Sequence, residues 1–217
     1  GKTVLISAGG TVERIDPVRY ISNDSSGKMG YALARSAASL GARVVLLSAN
    51  VRLASPPGVN VVKVVSAQDM YDAALARLPE ADIVIMAAAV ADYRPVRAHA
   101  HKIKKSEDRM VLELEKTPDI LSEIGRRKGR RFVVGFAAET EHLEQYAMDK
   151  LVRKRCDLVV ANDVSLPGGG FGSDQNEVKV FDHNGLVEQI PLMSKDRVAD
   201  RLMALIADRA ASSRGEA

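Results

Sequence analysis

Lys2-Thr-Val-Leu-Ile-Ser-Ala-Gly-Gly-Thr11 decides the fold: it opens on a short run at 4–8, apolar but for Ser7, and ends on small residues. A strand with one wet face would alternate, so three successive large apolar residues, Val4, Leu5 and Ile6, suit a strand covered on both faces. The same signature returns at 43–48, 61–65, 83–88, 132–136 and 158–161, mostly rich in Val. Between these runs the spacing becomes helical. Met29, Ala32, Leu33, Ser36, Ala37 and Leu40 share a helical face before Gly41 stops the helix, 67–78 follows Ser66 as N-cap, and 139–153 is a further amphipathic stretch. Strands alternating with helices predict an α/β fold, a Rossmann-like doubly wound and mostly parallel sheet.

The last third departs from that rhythm. LPGGGFGSDQN (166–176) is rich in turn formers, and 178–181 with 186–190 around His183-Asn184-Gly185 reads as a hairpin. These features predict a small β arm over 162–190 outside the main sheet, a closing helix over 195–209 and a frayed tail at 210–217. With 217 residues, 46% of them hydrophobic, the chain can bury one sizeable core and not two, so 1–217 reads as a single domain.

Thirty-one basic residues against 28 acidic ones describe a mixed surface, and 4% aromatics with no Trp leave few platforms for stacking bases, so no nucleic-acid partner is expected. The single cysteine, Cys156, excludes an internal disulfide and a cysteine-based zinc cluster within one chain; it starts an apolar strand and reads as core rather than nucleophile. No apolar run reaches the ~18 residues of a membrane span and the start lacks signal-peptide features, which together suggest a cytoplasmic protein with no membrane partner. A strand that begins almost at residue 1 suggests that something precedes it in nature.

Ligands of open α/β sheets bind beyond the carboxyl ends of the strands, which directs attention to four loops. After the first strand comes ERIDPVRYISNDSSGKMG (13–30), in which Ser25, Ser26 and Gly27 precede a helix, either as a plain N-cap or as an anion site built from free N–H groups. The loop lacks P-loop spacing, because Met29 follows Gly27-Lys28, and it is too long for the three-glycine dinucleotide turn. After the fourth strand, the small side chains from Ala87 to Ala91 let either a ligand or a helix come close to the backbone. His99-Ala-His-Lys-Ile-Lys-Lys105 is a solvated face or a mobile loop able to close over a polyphosphate. Lys116-Thr-Pro-Asp-Ile-Leu121 reads as a helix start with Thr117 at the N-cap and Pro118 in the first position, a second source of N–H donors. Phe136 ends the fifth strand, and Lys150 and Lys154 stand one helical turn apart, to share a polyanion or to meet solvent. His99 and His101 have strand spacing and no nearby carboxylate, which marks them as loop residues rather than metal ligands.

Taken together, Asp16-Pro-Val-Arg-Tyr-Ile-Ser-Asn-Asp-Ser-Ser-Gly-Lys-Met-Gly30, AAAVADYR (87–94), KIKK (102–105), VGFAAET (134–140) and CDLVVANDVS (156–165) closely resemble the phosphopantothenate–cysteine ligase family (phosphopantothenoylcysteine synthetase), the ligase half of a bacterial bifunctional coenzyme A enzyme. The resemblance spans nearly the whole chain, with the motifs in the right order. It implies an amide ligase unrelated to the ATP-grasp enzymes: the carboxylate of 4′-phosphopantothenate attacks the α-phosphate of CTP, and the amine of L-cysteine then displaces CMP from the acyl cytidylate. Carried over, Asn23 and Lys102 are catalytic, Asn23 holding the intermediate and Lys102 covering the nucleotide from a flap. Arg19 joins Asn23 in organising the phosphopantothenate site. Met86, Ala87 and Ala88 meet the cytosine edge, Asp92 and Phe136 line the nucleoside pocket, and Ser25, Pro118, Asp119, Ile120, Leu121, Lys150 and Lys154 hold phosphates.

The resemblance also implies Mg2+ carried with CTP through phosphate oxygens and water. It further implies a homodimer in which the arm at 162–176 reaches the neighbouring subunit, and fusion behind a flavin-dependent phosphopantothenoylcysteine decarboxylase. Asp24 departs from the pattern of many bacterial relatives, which carry His or Arg there, and is expected to point away from bound phosphate. Two rival readings stand beside this one. Tyr146-x-x-x-Lys150 matches the catalytic pair of short-chain dehydrogenases, without the Gly-rich loop that should accompany it, and a non-catalytic nucleotide sensor would use the same pocket.

Overall fold

The computed structural model describes residues 1–165 and 172–215. The chain runs through β1 (Thr3–Gly9), β2 (Val12–Arg14), β3 (Tyr20–Ser22), α1 (Lys28–Ser39), β4 (Arg43–Ala49), β5 (Val59–Val64), α2 (Ala67–Arg77) and β6 (Ile83–Met86). It continues through β7 (Tyr93–Pro95), β8 (Leu114–Lys116), α3 (Ile120–Arg126), β9 (Phe132–Glu139), α4 (Leu143–Arg153), β10 (Leu158–Asp163), β11 (Gln175–Asp182), β12 (Gly185–Ser194) and α5 (Lys195–Gly215). Eight strands form one sheet in the order β12-β11-β10-β9-β6-β1-β4-β5. The six from β10 to β5 are parallel, while β2–β3 and β7–β8 are separate two-stranded ribbons.

The continuous apolar runs have the predicted consequence. Every residue of β1 is buried, with Val4 and Ile6 facing a cluster completed by Tyr31, Leu33, Leu202 and Ile206 from α1 and α5. Leu5 faces the other layer, with Met70 of α2, Ile124 of α3 and Leu151 of α4. Each such side chain contributes about 1.5–3 kcal/mol by leaving water, so this double-sided packing fixes the sheet's register as well as its stability. Helix α2 starts at Ser66 as expected, whose hydroxyl accepts from Asp69 N–H while Asp69 answers in a capping box.

Several expectations need correction. The hairpin is not an arm outside the sheet, because β11 pairs antiparallel with β10 (Val159 opposite Phe181, Val160 opposite Val180) and extends it. Val178, Val180, Phe181 and Ile190 are all buried; an isolated hairpin would leave them wet and would leave the N–H and C=O row of β10 unpaired. Of the arm expected over 162–190, residues 166–171 lie outside the described residues. Helix α5 runs beyond 209 to Gly215, so most of the expected frayed tail is helical, and 216–217 lie outside the described residues. Glu139 does not begin a helix. It ends β9, where pairing with Asp163 carries the strand three residues past Phe136, and α4 starts only after His142, whose φ of 47° turns the chain. Strand β6 stops at Met86, two residues early.

Candidate functional site

The chain moves from β1 outward through β4 to β5, then crosses back to β6 on the opposite side of β1. The carboxyl ends of β1 and β6 therefore form the topological switch point, where diverging connections leave a crevice. The loop after β6 is fastened there by its backbone. Ala88 N–H donates to Ser7 Oγ at 3.1 Å and Ala91 N–H to Thr11 Oγ1 at 2.9 Å. Ala89 N–H donates to Gly9 C=O at 2.8 Å, and Thr11 N–H returns a bond to Ala89 C=O at 3.2 Å. Ser7 and Thr11 are fully buried, and these bonds satisfy them. Only small side chains allow a loop to lie this close to a neighbouring strand end, which accounts for the run of alanines.

The loop after β1 is a ribbon rather than a tight glycine turn. Ser22 Oγ donates to Thr11 C=O at 2.7 Å, closing the β2–β3 pair, and the strand delivers Asn23 to the rim. Asn23 Nδ2 donates to Val90 C=O at 3.2 Å, bridging the two loops. The helix that follows begins at Gly27 (φ 77°) with no side chain capping it. Ser25 and Ser26 instead accept from Gly27 and Lys28 N–H at 3.4 and 3.3 Å. Ser25 and Ser26 thus turn the chain into α1 and leave its positive end towards the opening.

These loops surround one cavity of about 1060 Å³, at the upper end of the range for small-ligand sites. Asn23 and Ser25 line it from the loop between β3 and α1, and Met86, Ala87, Ala88 and Asp92 from the end of β6 and the loop that follows. Pro118, Asp119, Ile120 and Leu121 line it from the start of α3, with Phe136 from β9 and Lys150 and Lys154 from α4. Lys150 Nζ donates to Phe136 C=O at 2.6 Å, and among the described residues it makes no ion pair. Burial pushes its pKa below the ordinary lysine value, because desolvation favours the neutral amine.

The structure separates other residues from this group. Arg19 and Lys102 do not line the cavity. Arg19 forks onto Asp16, with Nε at 3.0 Å and Nη2 at 2.7 Å from Oδ2, and Lys102 is exposed. Asp24, expected to turn away, is among the lining residues. Helix α3 starts at Asp119, not Thr117: the Asp119 carboxylate accepts from Ser122 N–H at 3.0 Å and pairs with Lys154. Burial alone would raise the Asp119 pKa, but Lys154 and Ser122 bring it below its usual value. Thr117 Oγ1 is used elsewhere, donating to Ala91 C=O at 2.5 Å.

Sequence reading missed Lys28, Lys116, Arg153, Asn162, Asn176 and Lys195, which also line the cavity. Asn162 is the penultimate residue of β10, so the strand-end rule could have found it. Asn176 and Lys195 reach the rim only because the hairpin joins the sheet, which no local motif signals. Tyr146 lines the cavity beside Lys150, but the ribbon after β1 leaves no place for the tight dinucleotide turn that a dehydrogenase uses.

A doubly wound sheet with a polar, cation-bearing cavity at its switch point defines a nucleotide-scale ligand-binding α/β domain. The chain belongs to the DNA/pantothenate metabolism flavoprotein C-terminal domain family, whose model matches residues 1–210. It is 50% identical over 208 residues to a coenzyme A biosynthesis bifunctional protein CoaBC of Bacillus subtilis, covering 95% of this chain and 51% of that protein. It is 45% identical over 210 residues to the CoaBC protein of Escherichia coli K12, covering 95% and 52%. The chain thus spans about half the length of these curated relatives. A crystal structure of the C-terminal domain of a CoaBC protein superposes with a TM-score of 0.81 at 43% identity, over 95% of this chain and 94% of that one.

Proposed function

We propose that this chain is a CTP-dependent phosphopantothenate–cysteine ligase of coenzyme A biosynthesis. The observation that carries the reading is the meeting of Asn23, Ala88, Phe136 and Lys150 at one cavity, in a chain half identical to a protein named for coenzyme A biosynthesis. A carboxylate is a poor electrophile at neutral pH. Attack of its oxygen on the α-phosphorus of CTP forms a P–O bond and expels pyrophosphate. The amine of cysteine then forms the C–N bond, loses a proton to solvent, and expels CMP with the bridging oxygen.

Neither step needs an enzyme nucleophile, so positioning and charge stabilisation carry the catalysis. Asn23 is a neutral donor: its amide can leave Val90 C=O for the acyl or phosphoryl oxygen without adding charge. Lys150 and the open end of α1 meet the phosphates. Lys154 joins them once a phosphate competes with Asp119 for its ammonium group. Ala87 and Ala88 present backbone to the base, and Arg19 and Lys102, which do not line the cavity, act from the segments beside it.

Magnesium fits as an ion brought in on the triphosphate. Among the described residues no cluster of three or more His, Cys, Asp or Glu side chains could hold a metal, whereas Asp24 and Asp92 line the cavity singly and would reach the ion through water. Bound there, it would screen phosphate charge.

We also propose a cytoplasmic homodimer joined in the full protein to a flavin-dependent decarboxylase. The bifunctional name and double length of the relatives support the fusion, and among the described residues no helix is long and apolar enough to cross a membrane. Pyrophosphate release tests the activity: it should require 4′-phosphopantothenate, proceed with CTP in preference to ATP, and give the amide only when cysteine is added. Binding of CTP with no pyrophosphate release in the complete mixture would favour a nucleotide sensor instead.

A further inference from the structure

Between β7 and β8 the chain has neither helix nor strand from 96 to 113, yet the part that carries Lys102 is gripped at Ile103. Ile103 N–H donates to Asp16 Oδ2 at 3.1 Å, and Ile103 C=O accepts from Arg19 Nη2 at 2.7 Å. Both backbone groups of one residue are thereby taken by one ion pair. A further tie, His99 N–H to Ile15 C=O at 2.9 Å, lies four residues earlier.

Asp16 has more partners than its own turn requires. Its Oδ1 accepts from Val18 and Arg19 N–H at 2.9 and 2.8 Å, which already completes an Asx-type turn. Its Oδ2 then takes the Arg19 fork and the Ile103 N–H. With 1% exposure, this carboxylate is tolerated in the interior only because charged and backbone donors saturate it. The bond to Ile103 reaches across 87 positions of sequence and contributes nothing to the turn.

Two covalent connections give the clamp its meaning. Lys102 is the residue before Ile103, and β3 runs from just after Arg19 to Ser22, immediately before Asn23. The clamp therefore sets how far an exposed lysine on an irregular segment stands from the strand end that presents Asn23. We infer that Asp16 is a positioning residue for Lys102: with Arg19 it grips the backbone of Ile103 and holds the 96–113 segment at a fixed reach from Asn23. The inference rests on the reading of Lys102 as acting on the nucleotide.

The test is a double-mutant cycle on pyrophosphate release, with kcat and KM for CTP measured for the wild type, D16N, K102Q and the pair. Asp16→Asn keeps the shape but turns an NH2 towards donors. The expected result is a kcat lowered by up to about 100-fold with KM changed less, the size expected of a group misplaced by about 1 Å, and no further loss when D16N is added to K102Q. Ile103→Pro removes the gripped N–H in an irregular segment while leaving Asp16 intact. It should reproduce the kcat loss and likewise add nothing to K102Q, and it stands in for D16N if that variant does not fold. If D16N or I103P multiplies the K102Q defect, or I103P turns over at the wild-type rate, the positioning role is overturned. If K102Q itself is as fast as the wild type, the reading of Lys102 fails, and the inference with it.

Discussion

The amide of Asn23 and the carbonyl of Val90 are hydrogen-bonded at 3.2 Å although 67 positions separate them in sequence. The bond joins the loops that leave β3 and β6, on either side of the switch between β1 and β6. It is exposed, so a ligand oxygen can take the Asn23 donor without burying an unsatisfied group. A bridging contact in the free protein thus becomes a candidate binding contact.

Asn23→Asp should separate chemistry from folding. The residue is exposed, so its melting temperature should stay within a few degrees of the wild type. The added charge faces an anionic intermediate and removes a donor, for which a loss of about 100-fold in kcat is expected. Steady-state pyrophosphate release together with a thermal melt checks both parts, and wild-type turnover would remove Asn23 from the mechanism.

Two glycines make opposite cases. A Cβ on Gly30 would sit 2.5 Å from Ala8 Cβ, where α1 packs on β1, so Gly30→Ala should cost about 1–3 kcal/mol of stability by overpacking. A Cβ on Gly10 would sit 2.8 Å from Asn23 C=O and 3.2 Å from Ser22 Oγ. Gly10→Ala should therefore push the β3 end outward and lower kcat more than stability. Urea denaturation and turnover, measured on both variants, should rank them in opposite orders.

Lys150→Met is expected to trade affinity for stability. The buried ammonium costs desolvation energy, so a methionine should leave the melting temperature unchanged or higher. Loss of a charge-assisted contact should weaken CTP binding by about 10–100-fold. The pH dependence follows from the depressed pKa. The cation, and with it nucleotide affinity, is lost at lower pH than for an ordinary lysine. Stability runs the other way: the folded state holds this proton less tightly than the unfolded chain, so this residue's contribution rises as pH rises. Calorimetric titration at several alkaline pH values should show affinity falling, and a flat profile would argue against Lys150 as the phosphate contact.

Cys156 should be inert in the folded protein. It is fully buried, and burial pushes its thiol up to about 12, leaving on the order of 10⁻⁴ of it ionised at pH 8. Alkylation by iodoacetamide is expected only after denaturation. Fast labelling of native protein would mean that the packing around β10 opens readily.

Much of the fold could be read in the sequence because burial on both faces leaves a simple mark. The apolar runs at 4–8 and 132–136 became central strands, and Ser66 capped α2 as read. What failed depended on pairing between distant segments. Glu139 has nothing local to mark it as strand; it is one because Asp163 lies beside it. The hairpin could be seen, whereas its place against β10 follows from burying Val180 and Phe181. The cavity residues at strand ends followed from the Rossmann rule and family motifs. Asn176 and Lys195 did not, because they arrive from an edge that only the pairing of β11 with β10 places, and Asp119 displaces Thr117 as the cap because Thr117 has a partner in Ala91.

The central claim, that a carboxylate oxygen attacks the α-phosphorus of a nucleotide in this cavity, can be measured by oxygen transfer. With 4′-phosphopantothenate labelled with ¹⁸O in its carboxylate, and with CTP and cysteine, mass spectrometry of the released CMP should find one ¹⁸O per molecule. Unlabelled CMP, or label recovered in inorganic phosphate, would contradict it.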